Sequence, residues 1–171
     1  RFAFSPVRPG HRPAYERLAA AAGIPAERLL FLPQGRNDAE NQARYRVVDV
    51  VLDPMPFGNV NGTIEPLAMG VPVVTLVGRR HGERTSYSIL SNLGATATIA
   101  QSGREYVNLA VRLAEDASFA AEVRETIASG LESSPLVDGA AHTRHLEAAY
   151  LAAIGEVVPQ ALADAGQASL R

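Results

Sequence analysis

The chain has 171 residues, 47% of them apolar, with 16 basic and 18 acidic residues and a net charge of −2. That length suits one buried core and excludes two complete domains, and so balanced a charge gives no sign of a nucleic-acid backbone or an anionic membrane as the main partner. All the basic residues are arginines and there is no cysteine, so lysine chemistry, disulfides, thiolate nucleophiles and zinc-thiolate sites are excluded within these residues.

No apolar run approaches the roughly 18 residues needed to cross a bilayer, so a soluble domain is expected. A strand-like Phe2 to Ser5 opens the chain directly after Arg1, with no leader pattern, and we expect a fragment of a longer protein. A loop with Pro6, Pro9 and Pro13 follows, then an alanine-rich helix over Ala14 to Ala22 stopped by Gly23. Arg28 to Leu32 is the second predicted strand, closed by Pro33.

Asp38 to Arg46 reads as a short helix leading into the almost continuous apolar run Val47 to Leu52, the pattern of a strand covered on both faces. After a turn rich in glycine and proline, Ile64 to Met69 predicts a helix stopped by Gly70, and Val71 to Val77 the next buried strand. Glu83 to Asn92 predicts a helix capped by Gly94, and Thr96 to Ala100 a weaker strand. Ser102 and Glu105 have capping-box spacing and open a helix to about Glu115. Another starts at Asp116 or Ser118 and runs to about Ser129, and a last long one covers Gly139 to Ala153. The tail from Pro159 is expected to be loosely ordered. Apolar runs alternating with helical patterns predict an α/β fold, a Rossmann-like parallel sheet with helices on both faces.

The chemistry concentrates in Asp53-Pro54-Met55-Pro56-Phe57-Gly58-Asn59-Val60-Asn61-Gly62-Thr63-Ile64-Glu65, which joins a buried strand to a helix. Open parallel sheets bind ligands at the carboxyl ends of their strands, and a turn rich in Gly and Asn lets backbone N–H groups converge on an anion at a helix N-terminus. Asn61, Gly62 and Thr63 stand where their backbone donors, and the side chains of Asn61 and Thr63, can grip phosphate oxygens. Glu65 follows one turn later, where a carboxylate can accept hydrogen bonds from ribose hydroxyls. From spacing alone, a plain tight turn with Glu65 placed on the helix dipole explains the segment equally well.

The run Pro56-Phe57-Gly58-Asn59-Val60-Asn61-Gly62-Thr63-Ile64-Glu65 closely resembles the Pro-Phe-Gly-Asn-Thr-Asn-Gly-Ile-Ile-Asp signature of the cytoplasmic N-glucosyltransferases that modify bacterial high-molecular-weight adhesins. Its continuation, Pro66-Leu67-Ala68-Met69-Gly70-Val71-Pro72-Val73-Val74-Thr75-Leu76, is more similar to the O-linked N-acetylglucosamine transferase and SPINDLY branch. Ser134-Pro135-Leu136 and Leu146-Glu147-Ala148-Ala149-Tyr150 resemble that branch too. The resemblance implies the C-terminal half of a GT-B fold, with residues 1–155 as the UDP-sugar-binding half-domain and 156–171 as a tail.

It further implies an inverting transfer of glucose or N-acetylglucosamine from a UDP donor to protein Asn, Ser or Thr, in the cytoplasm and without a metal. Carried over by position, Asn61 matches an asparagine at the nucleotide diphosphate, with Asn59, Gly62 and Thr63 beside it, and Glu65 matches an aspartate at the ribose. The loop around Gly35 and Arg36 corresponds to backbone that reads uracil, and Arg44 to an arginine near the base. Where the O-transferase branch carries His-Thr-Thr, this chain has Val60-Asn61-Gly62, so only the N-glucosyl pattern fits there. The family's diphosphate lysine falls upstream of Arg1, and the catalytic base and acceptor groove are assigned to a missing N-terminal half, without which the fragment is expected to be inactive.

Other candidates carry less. His81, in the loop Gly78 to Arg84, lies on the same edge of the sheet and can approach sugar or acceptor, though a solvated basic loop explains it better; Arg84 matches a family arginine. His142 and His145 share a helix face but lack further ligands nearby. The five tyrosines are scattered and do not form a base-stacking platform. A non-catalytic nucleotide-binding or interaction module with the same half-fold is the competing expectation, and a flavodoxin-like receiver fits poorly because no acidic cluster ends the first strand.

Overall fold

The structure is a computed structural model that describes residues 1–5, 7–8 and 10–168, with side chains described to residue 155. The expected loop positions Pro6 and Pro9, and the last residues of the tail, 169–171, lie outside the described residues.

Five short strands alternate with seven helices among the described residues. β1 (Phe2–Phe4) leads to α1 (Arg12–Ala21), which begins two residues before the predicted start because Pro13 fits the first helical turn, where no N–H partner is required. β2 (Leu29–Phe31) pairs parallel with β1, Ala3 opposite Leu30. Phe4 stacks between Tyr15 and Phe31 at centroid distances of 4.6 and 5.6 Å, with Arg12 over the Phe31 ring, so α1 is pinned to this pair by aromatic contacts.

α2 (Asp38–Ala43) is capped by Asn37, whose side chain accepts the Glu40 N–H, and continues as a 3₁₀ turn over Arg44–Val47. That turn corrects the expected strand: only β3 (Val51–Leu52) of it pairs as a strand, and Val47 stands 61% exposed. Tyr45 is buried instead, so the helical winding that points its ring inward outweighs the β-propensity of two adjacent valines.

α3 (Asn61–Ala68) starts three residues earlier than predicted. β4 (Val73–Leu76), α4 (Thr85–Leu93), β5 (Ile99–Ala100), α5 (Gly103–Glu115) and α6 (Ala117–Ser133) follow. Gly94 ends α4 in the left-handed region at φ 82°. At the start of α5, Ser102 accepts the Glu105 N–H as predicted, while the Glu105 carboxylate takes the Gln101 N–H one residue earlier than a standard capping box. Asp116 caps α6 by accepting from the Phe119 N–H and the Ser118 hydroxyl, which holds its carboxyl down at about 2.

β3, β4 and β5 form a parallel sheet in sequence order, and among the described residues no ladder joins it to the β1–β2 pair. Val73, Val74 and Thr75 are successive residues that are each almost fully buried, so both faces of β4 are covered. The core is made by Leu67 of α3, these valines, Ile89, Leu90 and Leu93 of α4, Leu113 of α5 and Phe119, Val123 and Ile127 of α6. Each such side chain contributes about 1.5–3 kcal/mol by leaving water.

α7 (Gly139–Ala168) is the largest difference from expectation at the C-terminus: the backbone stays helical through residues predicted to form a loose tail. Leu146, Tyr150, Leu151 and Ile154 on it are exposed. No helix among the described residues is long and apolar enough to cross a membrane.

Candidate functional site

The turn between β3 and α3 is organised from below by one buried carboxylate. Asp53, the residue after β3, is 3% exposed and lies between two donors: the Thr75 hydroxyl at 2.8 Å from Oδ2 and the Asn59 N–H at 3.1 Å from Oδ1. Its carbonyl accepts from the Tyr106 hydroxyl at 2.9 Å. Burial, and then the Asp53 charge, push the Tyr106 phenol up to about 12, so it remains a donor at neutral pH.

From Asn59 the bonds pass into α3. Its Oδ1 accepts the Gly62 N–H at 2.9 Å, and its carbonyl accepts the Thr63 hydroxyl at 2.6 Å. Thr63 is fully buried and its hydroxyl also pairs with Ser86 of α4 at 2.8 Å, while its N–H goes to the Val60 carbonyl. These bonds set Gly62, Thr63 and Asn59 into the turn itself. The Gly62 and Thr63 amides and the Thr63 hydroxyl are engaged within the turn and shape it. Asn59 likewise works as an internal brace.

Asn61 is the exception. It is exposed at the first position of α3, Val60 provides no side-chain cap, and among the described residues neither the Asn61 N–H nor its side-chain amide has a partner. The positive end of the helix dipole and two kinds of donor are therefore open together at one residue.

Glu65, one turn along α3, meets Arg44 across a sequence gap of 21 residues, with Nη2 3.4 Å from Oε2. The Tyr45 hydroxyl donates to the same oxygen at 3.1 Å. Arg44 also reaches Asn41 Oδ1 at 3.4 Å, and its Nε is buried without a partner. Gln34, Asp38, Asn41, Gln42, Arg44 and Glu65 line a polar cleft of about 290 Å³. Two residues assigned separately to ribose and base, Glu65 and Arg44, thus come together in one hollow.

The Gly35–Arg36 loop borders that hollow, but its amides are taken. Asn41 Oδ1 accepts the Gly35 N–H at 2.9 Å and Glu40 accepts the Arg36 N–H at 2.9 Å. The Arg36 side chain lies 88% exposed in an i,i+4 pair with Glu40. The backbone groups of Gly35 and Arg36 left without a partner among the described residues are their carbonyls.

The neighbouring loop is tied to the turn by the Gly58 N–H to the Gly82 carbonyl, 2.9 Å. Within it the Glu83 carboxylate accepts the Arg80 and Arg79 N–H groups, which holds its pKa below the usual carboxylate range. His81 is exposed on this loop, whereas Arg84 is fixed by the Gly78 carbonyl and the Tyr87 ring. His142 and His145 stay on the exposed surface of α7, and no group of three or more His, Asp or Glu among the described residues can hold a metal. A larger groove of about 580 Å³ runs along α6 beside Glu122 and Glu125 and contains none of these residues.

Sequence reasoning singled out the segment that opens at Asp53 without giving that carboxylate a role, and it missed Tyr45, Asn41 and Tyr106. A carboxylate directly after a buried apolar strand was the available signal for Asp53; the other three depend on contacts distant in sequence.

The profile of Glycosyl transferase family 41 matches residues 9–146. The probable UDP-N-acetylglucosamine–peptide N-acetylglucosaminyltransferase SPINDLY of Hordeum vulgare is 35% identical over 128 residues, which cover 75% of this chain and 14% of the relative. The UDP-N-acetylglucosamine–peptide N-acetylglucosaminyltransferase of Caenorhabditis elegans is 32% identical over 117 residues, 68% of this chain and 10% of that protein. A point mutant of the Thermobaculum terrenum O-GlcNAc transferase superposes with a TM-score of 0.75 at 33% identity, covering 84% of this chain and 27% of that one. This chain thus spans a small part of the proteins it matches. The superposition places its parallel α/β arrangement in the GT-B class, as the motif implied. With most of its length matched by the family profile and by relatives above 30% identity, the chain belongs to Glycosyl transferase family 41.

Proposed function

We propose that this chain is the UDP-sugar-binding half of an inverting glycosyltransferase that transfers a hexose to a polypeptide. The observation that carries the reading is Asn61, open at the N-terminus of α3 within one helical turn of the Arg44–Glu65 cleft. A nucleoside diphosphate spans such a pair of subsites: the diphosphate meets the Asn61 donors, and the ribose hydroxyls donate to Glu65 beside Arg44. As the acceptor attacks the anomeric carbon, negative charge builds on the leaving diphosphate. Donors already aimed at that charge lower the barrier without a metal. A diphosphate lysine is supplied from upstream of these residues, and the catalytic base and the acceptor groove come from an N-terminal half of the protein, which acts in the cytoplasm of a bacterium.

The names of the relatives favour UDP-N-acetylglucosamine, while the Asn61-Gly62 pattern resembles the N-glucosyl branch. Incubating the full-length protein with UDP-N-acetylglucosamine or UDP-glucose and a peptide pool, with EDTA present, separates them: the product carries an N-acetylhexosamine or a hexose, on Ser/Thr or on Asn. Release of UDP from neither donor ends the enzyme reading. The engaged Gly62 and Thr63 amides favour a second reading, a module that binds nucleotide without turnover, and that outcome would be UDP binding with no product.

A further inference from the structure

The buried Asp53 carboxylate has no role in the binding scheme above, yet the turn is built around it. Carrying a charged group into the interior is costly unless it is well hydrogen-bonded or paired, and no arginine is within bonding reach of this one among the described residues. A residue needed only to fill space after β3 would be apolar. Asp53 is held there by the Thr75 hydroxyl from β4 and gives its second oxygen to the Asn59 N–H.

That second bond matters because Asn59 carries the rest of the turn. Its side chain holds the Gly62 N–H, and its carbonyl holds Thr63, which is locked to Ser86. Asn61 lies between Asn59 and the Gly62–Thr63 pair, so its open donors are aimed by bonds that all begin at Asp53. The backbone passes close over the carboxylate as well: a Cβ on Gly58 would sit 3.4 Å from Asp53 Oδ2 and 2.6 Å from Thr85 Oγ1, so a side chain there requires Thr85 to move.

We propose that Asp53 is a positioning residue for nucleotide binding, its carboxylate fixing Asn59 and thereby the direction of the Asn61 donors toward the diphosphate. The proposal rests on the UDP reading of the Asn61 turn. It predicts that the acceptor oxygen, not the negative charge, is what matters. Asp53→Asn keeps an oxygen for the Asn59 N–H and can donate to Thr75, whereas Asp53→Ala leaves both partners unmet.

The test combines two measurements on the full-length protein: amide hydrogen exchange without nucleotide, and calorimetric titration of UDP. Asp53→Ala is expected to speed exchange across residues 53–63 while β4 and α6 remain protected, and to weaken UDP by about tenfold or more, with Asp53→Asn within about threefold of wild type. Uniformly faster exchange with unchanged UDP affinity, or equal losses in the Ala and Asn variants, would overturn it. Should Asp53→Ala fail to fold, Thr75→Val is read in the same way: it removes one donor to the carboxylate and is expected to loosen the same segment and weaken UDP, and an unchanged turn with unchanged affinity sinks the proposal. If UDP binding ignores Asn61→Ala, the nucleotide reading fails; the exchange data then still decide whether Asp53 positions the turn.

Discussion

The two loops that flank the candidate nucleotide site follow parallel strands, yet they are fixed by opposite means. The turn from Asp53 to Thr63 is tied to groups that water scarcely reaches: Asp53, Thr63, Thr75 and Ser86 are each 3% exposed or less. The loop from Gln34 to Arg44 is held chiefly at the surface, by the solvated Arg36–Glu40 pair and by Asn41 taking up the Gly35 N–H. Hydrogen bonds between buried groups are lost at the cost of desolvated, unmet partners, whereas exposed pairs exchange readily with water. The turn from Asp53 to Thr63 is therefore shaped before any ligand arrives, whereas the loop from Gln34 to Arg44 is free to rearrange.

The comparison breaks most readily at Gly58. Gly58→Ala brings a methyl group against Thr85 and is expected to cost about 1–3 kcal/mol in denaturant unfolding and to abolish measurable UDP binding. If that variant keeps wild-type stability and affinity, the turn is not close-packed as described. Next in size is Arg44→Ala, which removes the cation beside Glu65. UDP should bind about tenfold more weakly while the midpoint of thermal unfolding changes little, since a partly exposed pair contributes about 0–1 kcal/mol.

A smaller effect depends on pH. Because the Tyr106 phenol is raised to about 12, the folded state favours its protonated form. The stability this contributes is fully present below the ordinary tyrosine value of about 10 and is lost as pH rises from there toward the folded value. Unfolding midpoints followed across that window should fall more steeply for wild type than for Tyr106→Phe; parallel profiles would mean that the bond to the Asp53 carbonyl is not maintained. The smallest effect is expected for Arg36→Ala, whose surface pairing should leave thermal unfolding unchanged within error.

Much of this arrangement was legible in the sequence, and the failures share a cause. The alternation of apolar runs and helical patterns gave the α/β architecture, and the helix caps at Ser102 and Gly94 were readable because they depend on neighbours a few residues away. Val47 and Val48 misled because β-propensity is local, while the turn is decided by where the Tyr45 ring is buried. Asn61 and Glu65 stood out by type and spacing. The roles of Thr63 and Gly62 did not, because whether a donor faces a ligand or a neighbouring carbonyl depends on partners such as Ser86, 23 residues away. Asp53 was visible as the first residue of the turn but its role was not, since its bond to Thr75 crosses the sheet. The helical backbone of α7 beyond Pro159 had no local signal.

The central claim is that the Asn61 turn receives the diphosphate of a UDP-sugar. Its most direct test is calorimetric titration of UDP into the full-length protein, wild type against Asn61→Ala. The account predicts binding to wild type and a loss of about tenfold or more in the variant, roughly 1.4 kcal/mol, with unfolding unchanged because Asn61 is exposed and unpaired among the described residues. UDP binding of equal strength in both proteins, or none in either, would contradict it.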